Sequence, residues 1–191
     1  KKKKLSIADD ITINEKYIKK FSPSLIQNGL QMINYLSSIL YLNEFYKINT
    51  IIYNENNIIQ KHFLKNNKSA IQIAGSDPKE ITQAIDKIND NELIQHVNFN
   101  LGCPSSRVQE NMLGLALTQN QDLVKKCLEK IMEFKGDISV KCRLGLGLEE
   151  DKDYIFNYLN LFSNLGIKEV FVHCRNGVLN LDTKKNRTIP K

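Results

Sequence analysis

Asn98, Asn100 and Cys103 stand in "VNFNLGCPSSRVQENMLG", where a run that reads as a strand ends in Gly-Cys-Pro and a polar, glycine-punctuated segment follows. A strand has period two, so alternate residues share a face. Asn98 and Asn100 therefore face one way, and Val97, Phe99 and Leu101 the other. The same parity puts Lys141 and Arg143 of "ISVKCRLG" on one face, opposite Val140 and Cys142. In "EVFVHCR", His173 and Arg175 share a face with Phe171, opposite Val172 and Cys174, and Gln72 sits between Ile71 and Ile73. Singly, each residue has an ordinary structural reading: a small buried thiol, a loop-bonding asparagine, a salt-bridge lysine, a core histidine. Together, four strand ends spend polar groups on one face, and burying such groups unpaired is costly.

That donor set suits a bound anionic cofactor with a polar ring. Lys141 or Arg143 can balance negative charge on a flavin ring or a phosphate. A cysteine can act as nucleophile or as acid; with an ordinary pKa of about 8.5 a thiol is mostly protonated at neutral pH and can donate a proton. A zinc site is opposed by parity, because Cys142 and Cys174 point away from the face of Lys141 and His173.

The positioning elements follow from periodicity. "SAIQIAG", "HVNFNLG", "DISVKCRLG" and "KEVFVHCR" read as strands. "SDPKEITQAIDKI", "NQDLVKKCLEKIMEF" and "DKDYIFNYLNLFSNLG" read as helices, the first capped by Ser76 or Asp77 and the last closed by Gly166. Strand and helix alternate, which argues for a parallel sheet with right-handed crossovers. Doubly wound sheets and (β/α)8 barrels both fit. Polar faces near the C-terminal strand ends favour the barrel, whose sites lie there. Before residue 65 the signals are vaguer: Ser22 and Pro23 suit a helix start, "INTIIY" (48–53) a strand, and "NENN" (54–57) a turn.

The chain has 191 residues, enough for one domain with a real core, and a net charge of +6. A basic balance suits a polyanion such as RNA, although heavy Lys, Asn and Ile usage can also reflect codon bias. Cysteines 103, 127, 142 and 174 form no C-x-x-C and suggest a reducing compartment. No apolar run long enough for a membrane span and no apolar signal core after "KKKK" is seen, so a cytoplasmic location is expected.

"VNFNLGCPSSRVQENMLGLAL", "SVKCRLGLG", "VFVHCRNGVLNLDTKKNRTIP" and, ahead of them, "AIQIAGSDP" resemble the tRNA-dihydrouridine synthases, nearest to the A-type subfamily, over residues 69–191. The resemblance implies a flavin-binding TIM-type barrel, incomplete in this chain, with residues 1–68 divergent. It implies FMN, reduced by NADPH, and reduction of a uridine in the tRNA D-loop. Cys103 then matches the proton donor, Gln72, Lys141, His173 and Arg143 match cofactor-binding residues, and Asn100 matches the residue that holds the base. Arg107, Lys184, Asn186 and Arg187 fall on segments expected to meet tRNA. Three departures are notable. Asp9 and Asp10 stand where the family has Pro and Met, and Asn111 replaces a glycine. The strands that hold the cofactor phosphate, and the helical tRNA-binding domain, are expected to be missing, leaving a fragment or a degraded gene with exposed sheet edges. A non-catalytic remnant that binds tRNA or protein is the alternative, and a barrel reducing a free pyrimidine the third.

Overall fold

Five parallel strands are laid down in strict chain order in the computed structural model, which describes residues 45–47, 51, 69–92 and 94–189. They belong to the unit Glu44–Lys191; a separate unit, Lys1–Asn43, lies outside the described residues. The strands are Phe45–Lys47 (β1), Ser69–Ala74 (β2), Ile94–Asn100 (β3), Asp137–Leu146 (β4) and Glu169–Gly177 (β5), with sheet order β1-β2-β3-β4-β5. Every neighbouring pair is parallel. A doubly wound sheet reverses direction at a switch point. Here each new strand adds to the same side, the progression of a (β/α) barrel, and the described strands form part of one.

The crossovers are helices Pro78–Asn89 (α1), Gln121–Ile131 (α3) and Lys152–Asn164 (α4), with short pieces Ser106–Gln109 (α2) and Thr183–Asn186 (α5) and a 3-10 turn at Ala116–Gln119. Their starts are chemically marked. Asp77 caps α1 by accepting from the Lys79 N–H with Pro78 following, Asn120 accepts from the Leu123 N–H, and Asp151 accepts from the N–H groups of Asp153 and Tyr154. Gly166 closes α4 with φ +81°, a conformation that favours glycine.

The apolar core lies between sheet and helices. Ile71, Ile73, Val97, Phe99, Leu101, Val140 and Cys142 meet Ile81, Ile85 and Ile88 of α1, Val124, Leu128 and Ile131 of α3, and Phe162 of α4. Each buried Ile, Leu or Phe contributes roughly 1.5–3 kcal/mol. The strand parity read from the sequence holds throughout, and Cys142 lies in this core while Cys174 is exposed. A polar pin fixes α4 to the 3-10 turn: Tyr158 Oη donates to the Thr118 carbonyl at 2.7 Å, and Tyr154 Oη to Thr118 Oγ1 at 2.8 Å.

Two expectations change. The strand expected at 48–53 conflicts with Ile51, which is helical and packs into the core; the rest of that segment lies outside the described residues. The strand that is present, β1, is three residues long, too short to show a period. The expectations at Ser22, at residues 54–57 and at Asp9-Asp10 also lie outside the described residues.

Burial pushes the Cys127 and Cys142 thiols up to about 12, with the Asp77 charge adding at Cys127, and pushes the Tyr154 phenol up to about 12. These groups stay protonated in the folded chain while their unfolded counterparts ionise, so their stabilisation is complete below pH 9.0 and is lost as pH rises toward 12. Urea midpoints measured at successive pH should begin to fall near pH 9 in the parent, and only near pH 10, where unfolded tyrosines ionise, in Cys127→Ala/Cys142→Ala. An unchanged onset in the double variant would show that the thiols carry none of this dependence.

Candidate functional site

The inner face of the sheet carries a hydrogen-bonded ladder of side chains. The register sets Gln72 beside Asn98, Asn98 beside Ser139, and Asn100 beside Lys141. Asn100 Oδ1 accepts from the backbone N–H groups of Gly102 and Cys103, both at 3.0 Å. Its Nδ2 must then face Gln72 and donates to Gln72 Oε1 at 2.9 Å. Gln72 Nε2 donates to Asn98 Oδ1 at 2.6 Å, and Asn98 Nδ2 donates to Ser139 Oγ at 2.7 Å. Ser139 Oγ in turn lies 2.7 Å from His96 Nε2. Burial holds His96 below the ordinary histidine range, against the opposing pull of the Glu169 and Asp137 carboxylates, so its imidazole is neutral at pH 7. The orientations of all three amides in the ladder are thus dictated by the two backbone donors at its other end.

Cys103 follows at the mouth of β3, partly exposed, with Sγ 3.4 Å from Ser105 Oγ. Its backbone is held on every side. The Leu115 N–H donates to the Cys103 carbonyl at 3.1 Å, Arg143 Nε donates to the Gly102 carbonyl at 2.8 Å, and Gln109 Nε2 donates to the Pro104 carbonyl at 2.6 Å. Gly114, with φ +58°, packs so closely that a Cβ there would sit 2.8 Å from the Cys103 carbonyl oxygen. The left-handed non-glycine residue of this segment is Met112 (φ 52°), one position beyond Asn111, whose tolerance of positive φ is therefore not used.

Gln72, Asn100, Lys141 and His173 share this inner face beside the cysteine, each buried or half-buried. Arg143, paired in register with His173, is 5% exposed; its guanidinium spans the Gly102 carbonyl and, at 3.1 Å, the Asn176 carbonyl. Asn186 lies elsewhere than a residue facing RNA would. It is fully buried and clamps its own loop: Oδ1 accepts from the Val178 N–H at 2.8 Å, and Nδ2 donates to the Val178 and Leu181 carbonyls at 3.0 Å. Its side chain cannot reach RNA without breaking these bonds. Lys184 and Arg187 are exposed on the same turn, as is Lys185; Arg107 lies in α2. Ser139 and His96 were missed although strand parity places them with Lys141 and Asn98; Gln109 and Gly114 had no local signal.

The inner face fits a polar, anionic ring cofactor. Lys141 brings an ammonium group beside Asn100, and Arg175 has its Nε buried with no hydrogen-bond partner among the described residues, a donor open to a ligand acceptor. Among the described residues no group of His, Cys, Asp and Glu side chains is arranged to hold a metal ion, and no helix is long and apolar enough to cross a membrane.

Comparison with known proteins agrees with the motifs. The dihydrouridine synthase (Dus) family model matches residues 27–190, beginning well before the segment where the motifs are legible. The tRNA-dihydrouridine(20/20a) synthase of Pasteurella multocida is 33% identical over 126 residues, 65% of this chain and 38% of the relative. The proteins of the same name from Escherichia coli (strain K12) and Synechocystis sp. are 34% and 32% identical, each over 63% of this chain and 36% of the relative. The chain thus spans between a third and two-fifths of the length of the relatives it matches. With the family model covering most of its length and the site motifs lying within that match, the chain belongs to the dihydrouridine synthase family.

Proposed function

We propose that this chain carries the proton-donor side of a site that reduces uridine to 5,6-dihydrouridine in the D-loop of tRNA. The observation that carries the reading is Cys103: a partly exposed thiol whose flanking backbone is fixed at the edge of a polar inner face. FMN held on that face, with NADPH as its reductant, would supply the hydride chemistry needed at C6 of the uracil. Gln72 and His173 would hold the cofactor's polar ring edge, and the Lys141 ammonium would balance its negative charge. The target base leaves the RNA stack to reach this depth.

The chain's own groups do the rest. Asn100 Nδ2 carries two hydrogens and gives one to Gln72, which leaves the second for a carbonyl oxygen of the base. Cys103 Sγ, directed at Ser105 Oγ before substrate arrives, turns its proton to C5. Ser105 can then reverse its role, because a hydroxyl that accepted from the thiol can donate to the thiolate. The exposed Lys184 and Arg187, with Arg107 on α2, would neutralise tRNA phosphates. A cytoplasmic location suits NADPH and tRNA.

With FMN, NADPH and tRNA supplied, Cys103→Ala should retain flavin and lose dihydrouridine formation by about a hundredfold or more, the scale of a lost general acid; undiminished product would remove Cys103 from this role. Lys141→Ala should raise the FMN dissociation constant measured by fluorescence quenching, and unaltered affinity would place the charge elsewhere.

A further inference from the structure

Gln109 is the last residue of α2, and its carboxamide joins two segments 71 residues apart in sequence. Nε2 donates to the Pro104 carbonyl at 2.6 Å, and Oε1 accepts from the Asn180 N–H at 2.9 Å. The orientation is fixed, since a carbonyl only accepts and a backbone N–H only donates. Around this bridge the segments stand apart across a cleft of about 560 Å³, with Ser106 and Met112 among its walls on one side and Leu179 and Asp182 on the other. A second tie comes from Arg143, which links the Gly102 carbonyl to the Asn176 carbonyl. The two ties grip the residues on either side of Cys103: Arg143 reaches Asn176 in β5, and Gln109 reaches Asn180 in the turn that follows it. That turn is held by the buried Asn186 and capped by Asp182, whose Oδ1 accepts from the Lys184 N–H at 2.8 Å. It carries the exposed Lys184, Lys185 and Arg187.

We propose that Gln109 is a positioning residue that couples the place of Cys103 to the basic turn at 182–187, so that RNA docked on the turn sets the thiol. The RNA part of this inference rests on the function proposed above; the mechanical part does not. A displacement of the turn moves Asn180, and through the Gln109 amide it moves Pro104, the residue next to Cys103.

The test is the rate at which dithiodipyridine modifies Cys103 in the chain carrying Cys174→Ser, since Cys127 and Cys142 are buried. Gln109→Met keeps the volume and removes both hydrogen bonds, and should speed modification about fivefold. Asn186→Ala, or Asp182→Ala should the first not fold, should speed it when Gln109 is present and add nothing in Gln109→Met. Gln109→Glu offers a conservative rescue: the protonated acid can make both bonds, whereas the carboxylate repels the Pro104 carbonyl. Normalised to the parent at each pH, its rate should approach the parent's at acid pH and the Gln109→Met rate at neutral pH. Saturating tRNA should shift the parent's rate and leave Gln109→Met unmoved. Additive effects of Asn186→Ala and Gln109→Met, or a Gln109→Glu rate that ignores pH, overturn the coupling. No shift with tRNA in the parent, or an equal shift in Gln109→Met, overturns its RNA part. The first three arms use neither flavin nor tRNA, so they fail or succeed independently of the uridine-reductase reading.

Discussion

One carboxamide orders the site. Asn100 sits at the end of β3, and its Oδ1 takes the N–H groups of both Gly102 and Cys103. Without that acceptor two backbone donors at a part-buried turn would lose their partner, at a cost of up to roughly 1–3 kcal/mol each. The same bond pair fixes which end of Asn100 faces Gln72, and so fixes Gln72 and Asn98 in turn. Turn geometry, cysteine placement and the donor pattern of the inner face therefore share a single origin, and Asn100 can be replaced by no residue that lacks both an acceptor and a donor.

The sheet divides its labour by parity. The outward face is apolar and packs on α1, α3 and α4; the inward face carries Gln72, Asn98, Asn100, Ser139 and Lys141. Barrel interiors are more often filled with branched apolar side chains. Here three strands instead satisfy each other's polar groups through short cross-strand bonds, which makes the face tolerable when buried and leaves Lys141 among neutral amides. Rigidity on the outward face is what lets the inward face hold its geometry, since neighbouring residues of one strand serve the two sides.

Much of this was legible because period two and hydrophobicity act on single residues: Asn98 and Asn100, Lys141 and His173 were placed correctly against their apolar neighbours. The cap of α1 was legible to within one residue, Ser76 or Asp77, for the same reason, since a cap is a local bond. Asn186 was not. An asparagine between Lys185 and Arg187 reads as surface, and its burial depends on how the 178–186 backbone folds around it. Arg143 reads as a free cation, yet the carbonyls of Gly102 and Asn176 that absorb it come from two other segments. Gln109 and Gly114 act across space in the same way. Chain-distant backbone partners leave no periodic trace, and β1 is too short to leave one.

The claim most exposed to test is that the inward face is a flavin site in this chain. The visible absorption spectrum of the purified chain, before and after added FMN with the unbound cofactor removed, addresses it directly. The account predicts a flavin band at close to one per chain. A chain that emerges colourless after FMN would contradict it, and would mean that the amide ladder is complete in itself and that the thiol serves no cofactor here.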